Sequence, residues 1–416
     1  MDRQLSSFTS YNLIGFVVST TAGFIGGIII ARLVGGRGVG VIASAWALVE
    51  LAKPWGVLSV VPSIRKSYES VDGSRVFGTS LTLHLAAMVP AFALLAALSA
   101  PLAGVLNSTW SVIVISGSTL VAVVPASIGL AYLDSQRDFA RRNLVVIVTN
   151  VSYLAFLGVL SVPLGTVESI AGANLLSIVV TSLVCLRYVP RPRLDPALGS
   201  YFLRFGLRLV VIMFVGQMVL WFGAVIATAR LGATEGGIYR VASALAYYAF
   251  LLPDYAVSTW TLPTASSEVV ARGDPARVLR QSTLTSVGLS ALMLAALVAL
   301  GGPVLGIYGM EFKAGYGVMV LLSAGFFLNA LGISATSLLY SLERTHRVME
   351  VAIARGAVFL ALSFILIPSH GLWAIAWAVV VSSGVSSVAL IAIVTSELKG
   401  AGGQRPKPAG QLPAGP

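Results

Sequence analysis

Two oppositely charged residues, Glu50 and Lys53, stand three positions apart in an otherwise apolar stretch of the sequence. On a helix this spacing places both side chains on one face. The Lys53 ammonium could bind a phosphate or a sugar, and the Glu50 carboxylate could restrain that ammonium or take up a proton. The alternative is a self-neutralised ion pair that only packs. An ionisable side chain at the centre of a membrane helix costs roughly 3 kcal/mol on insertion scales, which favours a place in a cavity.

Other polar residues also stand within or beside apolar stretches. Asp254, next to Pro253, is a candidate for coupling to a proton or a cation, or else caps a broken helix. Gln217 either lines a cavity or bonds across helices. Four arginines lie at or just beyond the ends of apolar stretches: Arg32, Arg37, Arg230 and Arg240. They either fix helix depth at the membrane interface or form a positive rim for an anionic substrate. Aromatic residues that could stack on sugars, or simply pack, are Trp46, Trp55, Trp221, Tyr247 and Tyr248.

The composition identifies the chain as a membrane protein. Of its 416 residues, 57% are hydrophobic and 10% are charged, whereas a soluble domain carries roughly 25% charged residues. The single cysteine excludes an intrachain disulfide and a multi-cysteine metal site. The sequence contains no GxSxG, Walker A or HExxH motif. We therefore expect a protein that is not an enzyme and that uses no cofactor or metal.

Apolar runs of about 20 residues, the length that crosses a bilayer core, recur along the whole chain. They predict an all-α integral membrane protein with twelve transmembrane helices, at about 11–33, 38–62, 76–99, 110–133, 143–163, 168–189, 203–230, 236–262, 281–308, 315–341, 348–368 and 371–396. The first run is longer than the core of a signal peptide, so we interpret it as a retained span. The predicted domains are an N-terminal six-helix lobe at 1–190, a cytoplasmic linker at 191–202, a C-terminal six-helix lobe at 203–396 and a disordered tail at 397–416.

The distribution of positive charge predicts the orientation. With the N-terminus in the cytoplasm, the large majority of Lys and Arg residues fall on the cytoplasmic side, as the positive-inside rule requires. Both termini are then cytoplasmic, and the protein is expected in the cytoplasmic membrane. The net charge of +11 is explained by this topology, so we expect no nucleic-acid partner.

An internal repeat relates the two halves. Ala31-Arg32-Leu33 matches Ala229-Arg230-Leu231, and Pro54 matches Pro253 in nearly the same register. Because each half holds six predicted spans, the repeats are parallel and are related by an axis along the membrane normal, as in one class of transporters. Glu50 and Lys53 have no charged counterparts in the second half. These charges break a symmetry that the prolines keep, which favours a functional role for them.

Two segments carry a resemblance to a known family. The first is the glycine-rich hairpin Gly23–Ala45, and the second is the pair Leu338–Ala352 and Leu366–Ser383. They resemble the MOP flippase superfamily, and within it the polysaccharide or O-antigen flippases. The resemblance implies two six-helix lobes forming a V, with spans one, two, seven and eight lining a cationic central cavity. In the lipid II flippase branch the first span carries an Arg-Asp pair, where this chain has Gly26-Gly27, which counts against that branch.

The function implied by the resemblance is the movement of a lipid-diphosphate-linked oligosaccharide across the membrane by alternating access. Membrane lipids, a coupling proton or sodium ion, and the enzymes of glycan assembly would be its partners. A MATE-type cation-coupled antiporter of drugs or metabolites is an alternative, although it predicts acidic residues in the cavity. A membrane glycan polymerase or ligase would need a large external loop, and the predicted external loops are nearly all short. A scaffold or assembly protein is a further alternative.

Overall fold

The computed structural model describes residues 2–55, 72–136, 138–256, 275–342 and 344–401. These residues form helices joined by short turns and contain no β-strand, so the all-α prediction is confirmed for them. The helices of the N-terminal half are α1 (Asp2–Ala52), α2 (Gly73–Ala97), α3 (Ser99–Val105), α4 (Trp110–Ser135), α5 (Phe139–Phe156), α6 (Val162–Leu164) and α7 (Val167–Leu186). Those of the C-terminal half are α8 (Pro196–Gln217), α9 (Gly223–Leu231), α10 (Ala233–Ala256), α11 (Pro275–Tyr308), α12 (Tyr316–Ser341), α13 (Thr345–His370) and α14 (Leu372–Ala401).

Ten helical stretches among the described residues are long and apolar enough to cross a membrane. They are Ile14–Trp55, Gly73–Ala97, Trp110–Ser135, Phe139–Leu164, Val167–Leu186, Leu209–Leu231, Leu279–Tyr308, Met310–Tyr340, Thr345–His370 and Leu372–Leu398. Apart from the first, each corresponds to one predicted span. The chain is therefore a multi-pass membrane protein.

The first of these stretches covers two predicted spans, 11–33 and 38–62. It has 42 residues, and at 1.5 Å per residue it reaches about 63 Å, roughly twice the thickness of a hydrocarbon core. Within α1 the backbone leaves helical geometry at Gly35, where φ is 61° and ψ is −175°. A residue without a Cβ tolerates this conformation best. The end of the second predicted span, beyond residue 55, lies outside the described residues.

The predicted span 236–262 is not among the ten. Its described part is α10, a 24-residue helix that carries Glu235, Arg240 and Asp254 and is therefore less apolar than its neighbours. Residues 257–262 lie outside the described part of the chain. The count of twelve spans in two repeats stays a prediction.

The two halves share an apolar core where α1 of the first half packs against α10 of the second. In the N-terminal half α4 packs against α2 and α7, and α5 packs against α1 and α7; in the C-terminal half α12 packs against α10, α11 and α14. Between the halves, the most extensive contact joins α1 to α10. Ile42 and Ala43 of α1 are buried in the same cluster as Ala242 and Leu245 of α10. This seam between α1 and α10 positions the cavity described below.

The connector between the halves runs alongside the first residues of α2 and is hydrogen-bonded to them. The Arg193 amide donates to the Ser74 carbonyl at 3.0 Å, and the Asp195 amide donates to Thr79 Oγ1 at 2.8 Å. The predicted linker 191–202 is irregular only up to the start of α8, and the predicted tail at 397–416 begins inside α14. The division into lobes stays a prediction.

Candidate functional site

A cavity of about 240 Å³ lies where α1 meets α10. α1 lines it from both sides of the break at Gly35, while α5 and α11 contribute one tyrosine each. The lining residues are Gly23, Gly27, Ile30, Val39, Ile42, Ala43, Trp46, Tyr153, Arg240, Val241, Ala244, Tyr248 and Tyr308. The first, second and eighth predicted spans thus line the cavity, as the resemblance implied, but the fifth and ninth contribute to it as well and the seventh provides none of these lining residues. We call it the central cavity.

Arg240 is the charged residue that lines the central cavity. Its guanidinium carbon lies 3.8 Å from the centroid of the Trp221 ring, a distance typical of a cation–π contact. Trp221 belongs to a short π-helical segment, Met218–Phe222, between α8 and α9, and such segments often occur at functional sites. Stacking occupies the face of the guanidinium and leaves its N–H edge for an anionic group. A planar donor set of this kind suits phosphate oxygens.

Aromatic side chains form much of the remaining wall. Tyr308 packs edge-on against Phe24 with the ring centroids 5.7 Å apart. The Trp46 indole N–H is buried and has no hydrogen-bond partner among the described residues. A buried donor of this kind is normally satisfied, so an acceptor on a bound ligand could serve it. One cation, an unused donor and several ring faces form an arrangement that fits a sugar phosphate.

Glu50 and Lys53 form an ion pair at the end of α1. Their side chains are 21% and 19% exposed, and Lys53 begins a 3-10 turn, Lys53–Trp55, with Pro54 buried. Neither residue lines the central cavity. Glu50, however, interacts electrostatically with Arg240. Because Glu50 follows Trp46 of the cavity wall by one helical turn, the pair lies beside the cavity.

One end of the central cavity is closed by backbone contact between the two halves. A Cβ atom on Gly40 would lie 1.8 Å from the Ala233 carbonyl oxygen, and a Cβ on Gly237 would lie 1.9 Å from the Gly36 carbonyl oxygen. Side chains at these glycines would therefore force the α1 and α10 backbones apart. The Gly36 amide also donates to Glu311 Oε1 at 2.7 Å, which ties the α1 turn to the 3-10 segment Met310–Gly315.

Arg32 belongs to this closed end and not to the cavity. Its Nε donates to the Ile307 carbonyl at 2.8 Å and its guanidinium also reaches the Gly306 carbonyl at 3.4 Å. Both acceptors lie in the last turn of α11, where helix carbonyls lack partners inside the helix. Arg32 therefore links α1 of the first half to α11 of the second.

The structure separates the other predicted site residues from the central cavity. Arg37 is exposed, and so is Arg230, whose guanidinium carbon lies 5.8 Å from the Phe364 ring centroid. Gln217 is half-buried, and its side-chain oxygen has no hydrogen-bond partner among the described residues. Arg240 alone among the four predicted arginines lines the central cavity.

Asp254 lines a second cavity, of about 280 Å³, that lies within the C-terminal half. Asn329 and Arg355 line the same space, and Arg355 Nη1 donates to Asn329 Oδ1 at 2.8 Å. Sequence analysis did not single out Arg355 as a site residue. The structure places it inside α13, within a stretch long enough to span the membrane.

Sequence reasoning missed three residues that line these cavities: Tyr153, Tyr308 and Arg355. The two tyrosines stand in apolar runs with nothing to set them apart from packing residues. Arg355 could have been identified from the sequence, because it is a charged residue inside the predicted span 348–368.

Solved structures with similar folds are transporters. The chain matches a structure described as the inward-facing conformation of a multidrug resistance MATE family transporter of the MOP superfamily, with a TM-score of 0.80 over 93% of this chain and 96% of that one, at 15% identity. The lipid II flippase MurJ, in an inward closed conformation, gives a TM-score of 0.75 over 92% of this chain and 87% of that one, at 12% identity. A MOP superfamily transporter from Pyrococcus furiosus, described as having a binding pocket of reverse polarity, gives 0.68 over 95% of both chains, at 15% identity. The chain therefore has the fold of the MOP superfamily transporters.

The family model for polysaccharide biosynthesis proteins matches residues 29–286, more than half of the chain. The chain is a member of this family of polysaccharide biosynthesis proteins. None of the curated proteins compared with the chain matches it. Family and fold together confirm the predicted resemblance and identify a membrane protein of the flippase and transporter class.

Proposed function

We propose that this protein is a flippase that moves a lipid-diphosphate-linked oligosaccharide across the cytoplasmic membrane for polysaccharide export, O-antigen or lipopolysaccharide included. It does so by alternating access between two six-helix repeats, with twelve spans and both termini in the cytoplasm. The proposal rests on one observation: Arg240 lines an aromatic cavity at the seam between the halves. The diphosphate would bind the free edge of the Arg240 guanidinium, and the first sugar would lie against the tyrosine and tryptophan rings.

The size of the central cavity supports binding of the head group alone. At about 240 Å³ it is smaller than the roughly 300–1,000 Å³ of pockets that enclose drug-sized ligands. The diphosphate and the sugar next to it are the part of the substrate for which this space is suited. The rest of the glycan would extend away from the closed end.

The closed end defines the step of the cycle. In the proposed orientation the turns at Gly35 and Gly232 face away from the cytoplasm, so the glycine contacts seal the outer side. This state would accept substrate from the cytoplasmic leaflet. Arg32 and Glu311 would hold the seal, Glu50 and Lys53 would adjust the charge beside Arg240, and Asp254 would bind the coupling proton or sodium ion. Three of the predicted site residues lie outside the central cavity and would contact the glycan along its path: Arg37, Arg230 and Gln217.

The packing of tyrosine rings against the first span favours a substrate other than lipid II. A Cβ on Gly26 would lie 2.9 Å from a Tyr153 ring carbon, and one on Gly27 would lie 3.2 Å from a Tyr308 ring carbon. These positions correspond to the Arg-Asp pair of the lipid II branch. The two tyrosines here fill the space that such side chains would need.

The test is transport into proteoliposomes of a fluorescent lipid-diphosphate oligosaccharide, with Arg240→Gln compared with Arg347→Gln. Arg347 is 47% exposed and pairs with Glu350 on the outside of α13, so its loss controls for removal of one positive charge. We expect Arg240→Gln to reduce the flipping rate at least tenfold and the control to keep it. Equal rates for both variants and the wild type would refute the proposal.

A cation-coupled antiporter of drugs or metabolites is the second candidate, because several structural relatives are described as multidrug transporters. Its cationic substrates would be repelled by Arg240, the charged residue of the central cavity. Efflux of a cationic dye by the wild type that is abolished by Asp254→Asn, together with absent glycolipid flipping, would favour this candidate.

A further inference from the structure

We propose that the second cavity, within the C-terminal half, binds a small inorganic anion of the chloride type at Arg355. The space of about 280 Å³ is bounded by α8, α10, α12, α13 and α14 and is separate from the central cavity. Its charged lining residues among those described are Arg355 and Asp254. The inference does not depend on which substrate the protein transports.

Arg355 is a half-buried charged residue inside the predicted span 348–368. It stands seven residues beyond the start of that span, roughly 10 Å along the helix axis, about a third of a 30 Å hydrocarbon core. A charged side chain at such depth is costly unless it is paired or faces a cavity. In the described part of the chain its guanidinium forms no ion pair with a carboxylate.

The hydrogen bonds of Arg355 orient it without neutralising it. Its Nη1 donates to Asn329 Oδ1 at 2.8 Å, and its Nη2 donates to Ser383 Oγ at 3.2 Å. Both acceptors are neutral. The Nε–H group is buried and has no partner among the described residues. A guanidinium has five donors, so part of its donor set and its whole charge remain for an anion in the cavity.

Asp254 sets the electrostatic balance of this site. It lines the same cavity from α10 and forms no hydrogen bond or ion pair with any described residue. When its carboxylate is ionised, the two lining charges cancel and an anion gains little. When it is protonated, the cavity carries the net charge of Arg355. The remaining polar lining groups are the neutral side chains of Asn329, Thr336, Ser337, Tyr340 and Ser386.

The ligand is a small inorganic ion and not a glycan. The cavity is bordered by five helices, and its walls are largely aliphatic, with Ile212, Val215 and Leu390 among them. A monovalent anion balances the single guanidinium charge of Arg355. Chloride is therefore the probe that fits.

The experiment measures equilibrium binding of radioactive chloride to the purified full-length protein, with gluconate keeping the ionic strength constant. Arg355→Gln is expected to weaken binding at least tenfold, while Arg347→Gln on the exposed side of the same helix is expected to leave it unchanged. Asp254→Asn is expected to tighten binding at least threefold, because it removes the opposing charge. A chloride-dependent rise of Tm should follow the same order, since a ligand that binds the folded state stabilises it.

Several outcomes would overturn the proposal: no chloride bound to the wild type, equal binding by Arg355→Gln, or loss of binding in Arg240→Gln instead. If Arg355→Gln does not fold, the wild type and Asp254→Asn are compared at alkaline pH, where a carboxylate is ionised. Weaker or equal binding by Asp254→Asn at that pH contradicts the assigned electrostatics. Glycolipid flipping is not part of the readout, so this test fails or succeeds independently of the proposed function.

Discussion

The backbone amide of Gly36 donates a 2.7 Å hydrogen bond to Glu311 Oε1, and this bond joins the α1 turn of the first half to the turn after α11 in the second. The two residues are 275 positions apart in sequence. Close to it, Arg32 binds the last carbonyls of α11. The closed end of the central cavity is therefore held by a small number of polar contacts on top of the packed glycines.

Removal of the Glu311 carboxylate should weaken the closed end. We expect Glu311→Ala to increase at least threefold the labelling of a cysteine placed at Ala244, in a Cys185→Ala background, by a membrane-impermeant thiol reagent added outside. The reason is that the Gly36 amide loses its acceptor. Glu350→Ala, which removes an exposed carboxylate of α13, is the control. Unchanged labelling in Glu311→Ala would show that the glycine contacts and Arg32 keep this end closed without Glu311.

The glycine contacts can be tested with one added methyl group. Gly40→Ala places a Cβ where 1.8 Å separates it from the Ala233 carbonyl oxygen, and such overpacking costs about 1–3 kcal/mol. We expect this variant to populate the open end more and to be labelled faster in the same cysteine assay. Gly104→Ala is the matched control, because its Cβ would meet no atom within 4 Å. Similar labelling in both variants would contradict close packing at Gly40.

Trp221 should hold Arg240 in place for its ligand. A cation–π contact contributes about 0.5–2 kcal/mol, so we expect Trp221→Ala to weaken binding of the lipid-diphosphate substrate about 2- to 30-fold. Trp221→Phe keeps a ring face and should lose less. The measurement is the substrate Kd from a titration of purified protein. If the alanine and phenylalanine variants bind equally well, ring stacking does not position Arg240.

Exchange of the two charges at the end of α1 separates their alternative roles. If Glu50 and Lys53 only neutralise each other, the double variant Glu50→Lys/Lys53→Glu should fold and transport as the wild type does. We expect instead a folded protein with at least tenfold slower transport, because a lysine at position 50 would repel Arg240, with which Glu50 interacts electrostatically. Thermal stability and flipping rate measured together distinguish the two roles, and the single variants Glu50→Lys and Lys53→Glu complete the cycle. Full transport by the exchanged pair would leave a packing role only.

The length of the apolar runs was sufficient to predict most of the helices, because a bilayer forces every spanning segment into an apolar run of similar length. It could not define the break in α1. Gly35 lies in a stretch rich in glycines, and the positive φ at this one position depends on the packing of the turn against Glu311 and Thr234. The predicted span 236–262 shows a second limit of this signal. Its charged residues make the helix less apolar than the other predicted spans.

The sequence alone predicted that charged residues occur at membrane depth and that two halves repeat, and it was sufficient to identify the resemblance to polysaccharide flippases. It could not rank the arginines, because Arg32, Arg37, Arg230 and Arg240 occupy similar places in the pattern. Only the tertiary structure decided that Arg240 lines the central cavity beside Trp221, whereas Arg32 binds carbonyls of α11. The physical reason is that the local sequence fixes how deep a side chain lies in the membrane, while the rotation and neighbours of its helix depend on contacts between distant segments.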